Sequence, residues 1–264
     1  MTAEEYWQKN GPPWAFLDRP KDRRPTYEER RAMRYKLQSY MRSTFRFDRW
    51  KGKRVLDVGC GSGLDAAEFA RNGALVSACD FTKAAYDATI DTFIEAGLKA
   101  HSIVRCPATS LQWESGSFDL VYCFGVLHHL PDPLAAMREA YRVLKPGGEY
   151  AVMVYNLDSL LYSYSIEHLN LEFERNPGVP VAKPFFARQL AEELQEVRFR
   201  DIQVYTRFNV IDVPGRRKVK VYGLSNSLGV GWHLIGKARK EAPHKNIRTE
   251  FGATMPMEGL GKGA

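Results

Sequence analysis

The stretch Lys53-Arg-Val-Leu-Asp-Val-Gly-Cys-Gly-Ser-Gly-Leu64 decides how the rest of the chain is read. It opens on a short apolar run, Val55, Leu56 and Val58, with the length of a buried parallel strand. Gly59, Gly61 and Gly63 follow at alternate positions, and Ala66, Ala67, Phe69 and Ala70 then recur at helical spacing. Strand, glycine turn and helix, in that order, are the setting in which a loop binds a nucleotide. Glycine there admits positive φ and lets a ligand approach the backbone. Asp57 at the strand end and Asp65 just past the turn would repel a pyrophosphate seated on the helix N-terminus. An acidic loop instead suits a ligand with a cationic end, such as the ammonium of an amino acid.

Val55-Leu-Asp-Val-Gly-Cys-Gly-Ser-Gly63 resembles the first motif of class I S-adenosylmethionine-dependent methyltransferases. The resemblance implies an α/β fold: a Rossmann-like doubly wound sheet, mostly parallel with an antiparallel last strand, and helices on both faces. It implies S-adenosyl-L-methionine as cofactor, S-adenosyl-L-homocysteine as product, and Asp57, Gly59, Cys60, Gly61 and Gly63 as cofactor-binding residues. Ala74–Asp80 reads as the second strand, and Asp80 lies about twenty positions past the glycine loop, the offset at which a carboxylate reaches a ribose diol. Phe81 is placed to lie against the adenine face.

Lys83 to Ala96 reads as a helix stopped by Gly97, and Ala100 to Cys106 as the third strand. The usual Gly-Asp of the family is replaced here by Cys106-Pro107. The acidic partner of the adenine amino group is missing at its expected place, and Ala108 or Thr109 is the candidate substitute. Gly116 to Gly125 is the fourth strand, whose end, Phe124-Gly125, the resemblance puts beside the methionine part of the cofactor. Ser117-Phe-Asp-Leu-Val and the pair His128-His129 resemble small-molecule methyltransferases of the ubiquinone-biosynthesis type. A helix from Leu134 to Leu144 is expected to end at Lys145-Pro-Gly-Gly148, a turn that admits the fifth strand, Glu149 to Tyr155.

Residues 1–50 stand outside this pattern. Thr26 fits an N-cap, with Glu28 and Glu29 in the first turn, and Met33, Leu37, Tyr40, Met41 and Phe45 give one apolar helical face. An N-terminal helical lid is the reading. The core is assigned to 51–240, with inserted helices and cover segments at about 156–198 and 207–230, and 241–264 as a flexible tail. Leu157, Leu160, Leu161 and Tyr164 share one helical face; Leu190, Leu194 and Val197 share another. Arg200 to Phe208 and Gly231 to Ala238 read as the final antiparallel strands.

Methyl transfer from a sulfonium is an in-line displacement in which the protein mainly aligns the acceptor and excludes water. An oxygen or nitrogen acceptor still needs a base, and His128 or His129 could take a proton near neutral pH. Tyr155 and Tyr162 are candidates to line the acceptor pocket. His168, His233 and His244 lack a partner pattern and rank below these.

Bulk properties bound the alternatives. The chain has 264 residues, 44% hydrophobic, and no apolar run long enough to span a membrane. Met1 to Trp7 lacks the order of a signal peptide, so a cytoplasmic location is expected. Cys60, Cys79, Cys106 and Cys123 form no CxxC pair and no zinc spacing, and metal-independent transfer is expected. The net charge of +7 gathers at Arg19–Arg54 and Arg216–Lys220, suggesting solvated surface or an anionic small acceptor rather than nucleic acid. A nucleic-acid methyltransferase of the amino-methylating kind would carry Asn/Asp-Pro-Pro-Tyr where this chain has Phe124-Gly-Val-Leu-His-His. A non-catalytic S-adenosylmethionine-binding protein and a nicotinamide oxidoreductase are the other readings. Oligomeric state is not legible.

Overall fold

The computed structural model describes residue 8 and residues 24–159, 183–207, 210–211, 219–220 and 231–242. The expected helix around Leu160 to Tyr164, Tyr162, His168, His244 and the tail beyond 242 lie outside these residues, as do nearly all of 1–23.

Five strands run parallel: β1 (Arg54–Val58), β2 (Leu75–Asp80), β3 (Ser102–Arg105), β4 (Phe118–Phe124) and β5 (Leu144–Tyr155). Chain order does not match spatial order: with β6 (Arg200–Arg207) and β9 (His233–Arg239) added, the seven-stranded sheet reads β3-β2-β1-β4-β5-β9-β6. The edge strand β6 and the inserted β9 pair antiparallel, and β9 is also antiparallel to β5. Only β9 is therefore reversed, and β6 runs with the parallel set. A short ribbon of β7 (Val210–Ile211) and β8 (Val219–Lys220) stands apart. The strand order reverses between β1 and β4, which is where an open α/β sheet leaves a crevice at its carboxyl edge.

The central strands are nearly continuous apolar runs because both faces are covered. Val55, Leu56, Phe118, Leu120 and Val121 are all within 1% of complete burial. One face packs on α5 (Pro133–Val143) and α6 (Ala187–Glu196), the latter through Leu190 and Leu194. The other packs on α3 (Leu64–Arg71), which buries Ala66, Ala67 and Phe69 as its spacing predicts. Next to it α4 (Lys83–Glu95) ends at Gly97, with φ +64°.

Two sequence expectations need correcting. The turn Lys145–Gly148 does not separate helix from strand, because α5 passes straight into β5 at Leu144. Between the pairs Phe118↔Leu144 and Leu120↔Glu149 the register slips, and the extra β5 residues are absorbed as an irregularity in the ladder. The N-terminal segment is not one helix with the expected apolar face either. It divides into α1 (Tyr27–Leu37) and α2 (Met41–Phe45), with a capping box at Thr26 and Glu29 starting α1. The face α1 buries is Tyr27, Arg34 and Tyr35, while Met33 and Leu37 are only half-buried.

Buried Arg34 needs a partner, and the half-buried arginines beside it are paired as well. Arg34 meets Asp65 at 2.5 Å, Arg31 meets Glu68 at 2.5 Å, and Arg30 meets Glu95 at 2.6 Å. The basic residues between Arg24 and Arg34 thus dock α1 on α3 and α4, rather than forming the solvated patch their composition suggested. The segment from Met41 to Trp50 is held differently, by Phe45, Phe47 and Trp50 sunk among Phe69, Tyr122 and Phe124.

Candidate functional site

The glycine turn is built as the sequence demands. Gly59, Gly61 and Gly63 have φ of +70°, +56° and +73°, a region L side chains rarely enter. The turn is pinned to β2 because the Gly59 and Cys60 amides both donate to the Cys79 carbonyl, at 2.8 and 3.0 Å. Gly63 then donates to the Cys60 carbonyl at 2.9 Å and serves as the N-cap of α3.

Beside the turn lies a cavity of about 340 Å³ at the carboxyl edge of the sheet. Its floor is Asp57, Gly59, Cys60 and Gly61; one end is Asp80, Phe81, Ala108 and Thr109; the fourth strand adds Phe124 and Gly125. Gly63 is the one predicted cofactor residue that does not line it, being turned toward Thr89 on α4.

Asp57 is 2% exposed and accepts the Ala66 amide at the start of α3. Burial first, then the neighbouring charge of Asp65, pushes its pKa well above the ordinary carboxylate value. Asp80 is committed on both oxygens: Oδ1 accepts the Thr82 amide and hydroxyl at 3.0 and 3.1 Å, and Oδ2 accepts the Gly61 amide at 3.1 Å. It therefore shapes the glycine turn as well as lining the cavity. Burial raises its pKa, and these amides work against that rise.

Asp65 corrects the electrostatic reading of the loop. Arg34 donates to it from Nε at 3.0 Å and from Nη2 at 2.5 Å, and the Tyr35 and Tyr122 hydroxyls donate at 3.0 and 2.9 Å. Its charge is paired within the protein, which leaves Asp57 and Asp80 as the crevice's carboxyl groups without a salt bridge among the described residues. Sequence reasoning missed Arg34, which is 2% exposed, lines the cavity, and lies 4.7 Å over the Phe124 ring while donating to Gln38. A signal existed: Tyr27, Arg31, Arg34, Tyr35 and Gln38 share one helical face.

The far end of the cavity is aromatic. His129 and Tyr155 line it; His128 does not, being 1% exposed beneath Tyr155 with ring centroids 4.0 Å apart. Burial, then His129 and His233, holds the His128 pKa well below its ordinary 6.5, so its ring stays neutral. His233, ranked low from sequence, lines the cavity and shares a 2.5 Å hydrogen bond between its Nδ1 and the Tyr40 hydroxyl. Burial and then Arg34 push its pKa down to about 3. Topology brings it there: β9 inserts beside β5 with Tyr155 opposite His233. Of the thiols, Cys79, Cys106 and Cys123 are buried, and no group of three metal-ligating side chains occurs among the described residues.

The fold is that of methyltransferases of known structure, and residues 56–152 match the family described as Methyltransferase domain. A ubiquinone biosynthesis O-methyltransferase of Vibrio campbellii is 34% identical over 115 residues, covering 44% of this chain and 49% of that protein. The Xanthomonas oryzae enzyme of the same name is 35% identical over 119 residues, covering 44% and 48%. The chain thus spans about half the length of the curated relatives it matches. Among solved structures, a SAM-dependent methyltransferase of Aquifex aeolicus superposes with TM-score 0.53 at 18% identity, over 78% of this chain and 92% of that one. The 1,6-didemethyltoxoflavin-N1-methyltransferase of Burkholderia thailandensis, solved with bound 1,6-didemethyltoxoflavin and S-adenosylhomocysteine, gives 0.51 at 19% identity over 77% and 76%. Among the described residues no helix is long and apolar enough to cross a membrane.

Proposed function

We propose that the protein transfers a methyl group from S-adenosylmethionine to a small organic acceptor. One observation carries the reading: two carboxyl groups, Asp57 and Asp80, line the cavity on either side of a glycine turn whose Gly61 amide holds Asp80. A ligand with an ammonium at one end and a ribose diol at the other matches both. The cofactor, when bound, supplies an activated methyl on a sulfonium leaving group.

The remaining work belongs to the side chains. Asp57 receives the ammonium, and Arg34 with Gln38 faces the carboxylate of the same amino-acid moiety. Asp80 takes the diol and Phe81 covers the base. Phe124, Met153 and Tyr155 exclude water where the acceptor must approach in line. His129 stands at the cavity wall as the candidate proton acceptor, and His128 stiffens that wall from behind by stacking on Tyr155. The likeness to O- and N-methylating enzymes favours a small-molecule acceptor without choosing the acceptor atom.

The direct test is stabilisation by S-adenosylhomocysteine, worth about 2.7 kcal/mol at 100 times its Kd. Labelled S-adenosylmethionine and a fractionated metabolite extract would then be searched by mass spectrometry for a gain of one methyl. No stabilisation at millimolar ligand would remove the reading.

Two narrower outcomes follow. The raised pKa of Asp57 means that the free protein retains a proton the unfolded chain has already lost, in the window above 3.8. Its stability contribution therefore falls as pH rises through that window, and a cation beside Asp57 reverses this. Ligand binding should release a proton and tighten with rising pH, as read by calorimetry in buffers of different ionisation enthalpy. Asp57→Asn should abolish the release; an unchanged release would assign it elsewhere. Asp80→Asn should weaken S-adenosylhomocysteine by roughly 10-fold or more, the scale of a hydrogen bond to a charged group. The 2′-deoxy analogue should suffer in the native protein and not further in the variant; a further loss would deny Asp80 the diol.

A further inference from the structure

The end of the cavity beyond Asp80 differs in chemistry from the rest. With the ribose at the carboxyl end of β2, the base falls outward toward β3, the next strand in the sheet. The slot there is made by the Phe81 ring, the Ala85 methyl, the Cys106 thiol, the Pro107 ring and Ala108, with the Thr109 hydroxyl at its rim. Asp80 is taken by the diol in the cofactor reading, and Asp65 is paired with Arg34. Gln38, the amide side chain among the lining residues, has its oxygen on Arg34. No other carboxylate or carboxamide lines that end among the described residues. Pro107 also brings no N–H, and its carbonyl accepts the Ser110 amide at 3.1 Å. Cys106 is 3% exposed at the bottom of the slot, whereas Pro107 and Thr109 are exposed at its lip. A planar ring entering this slot is gripped on its faces and inner edge, and its outer edge meets solvent.

We propose that this protein does not read the 6-amino group of the cofactor's purine, and accepts cofactors altered or substituted at that position. The proposal rests on the cofactor reading above. Its physical basis is an asymmetry: a site built to hydrogen-bond an amine rejects an analogue lacking it, because its own polar group is left unpaired. A slot of ring, methyl and thiol has only the Thr109 hydroxyl at its exposed rim, where water satisfies it when the amine is absent. Shape and stacking then select a purine, and discrimination at C6 is lost.

The experiment compares displacement of bound S-adenosylhomocysteine by two analogues, one with hydrogen in place of the 6-amino group and one with an N6-methyl. Both retain the ring nitrogen acceptors, so backbone donors in the 108–109 turn are not disturbed. Affinities within about tenfold of the parent are expected for both, and a loss beyond about tenfold for either would overturn the proposal. Pro107→Asp and Ala108→Asp, at the lip and wall of the slot, should each retain the fold and add an acceptor for the amine. At least one should widen the ratio between parent and des-amino analogue beyond tenfold. If neither does so in folded protein, the base does not lie in this slot and the proposal falls. Failure of S-adenosylhomocysteine itself to bind would be a different result, removing the cofactor reading on which the proposal depends.

Discussion

An Arg34→Met protein should lose about 3–5 kcal/mol of stability and bind S-adenosylhomocysteine at least about tenfold more weakly. The stability loss follows from what remains. Asp65 is 7% exposed, and without the guanidinium it keeps only the Tyr35 and Tyr122 hydroxyls, two neutral donors, around a full charge. Methionine preserves most of the stem's packing, so the loss reports the stranded carboxylate rather than a cavity. The affinity loss has a separate origin, because Arg34 lines the cavity and would face the ligand's carboxylate. The double variant Arg34→Met/Asp65→Asn separates the two. Removing the second charge should restore much of the stability, since a buried ion pair replaced at both ends is nearly neutral. It should restore none of the affinity. Denaturant midpoints give the first quantity and titration calorimetry the second. Recovery of both would make Arg34 a structural partner of Asp65 and nothing more.

That residue also marks the limit of what sequence could tell. The glycine turn and the position of Asp80 were legible because they are local. One strand–turn–helix–strand unit fixes both, and its geometry is nearly independent of what surrounds it. The parallel strands were legible as unbroken apolar runs. Arg34 was not, because its burial depends on a carboxylate 31 positions away on another helix. The shared face of Tyr27, Arg34 and Tyr35 is visible in the sequence, but nothing local says that a carboxylate stands opposite it. His233 was missed for a topological reason: its place in the cavity depends on β9 slipping between β5 and β6. The Lys145–Gly148 segment misled in the opposite direction. Its proline and glycines read as a stop, yet the ladder absorbs them as extra residues opposite the start of β4.

Gly59→Ala should abolish stabilisation by S-adenosylhomocysteine while leaving a folded sheet. Two effects add at this position. The backbone has φ +70°, which costs an L residue about 1–2 kcal/mol. A methyl group built there would also lie 2.3 Å from Cγ2 of Val126, with Cβ and Cγ1 of the same side chain at 3.3 Å. Turning Val126 removes the closest contact only by moving both of its methyl groups, and its Cβ stays tight against the new methyl at 3.3 Å. The two segments pressed against each other are the turn after β1 and the loop after β4, both of which line the crevice. Gly97→Ala is the control, because Gly97 has φ +64° and nothing within 4 Å of a new Cβ. It carries the conformational penalty without the collision, well away from the cavity lining. It should lose about 1–2 kcal/mol and keep its full response to the ligand. Thermal shifts of both variants, measured with and without S-adenosylhomocysteine, decide the matter. If Gly59→Ala responds as strongly as Gly97→Ala, the crevice tolerates its walls moving, and the ligand is not held between β1 and β4.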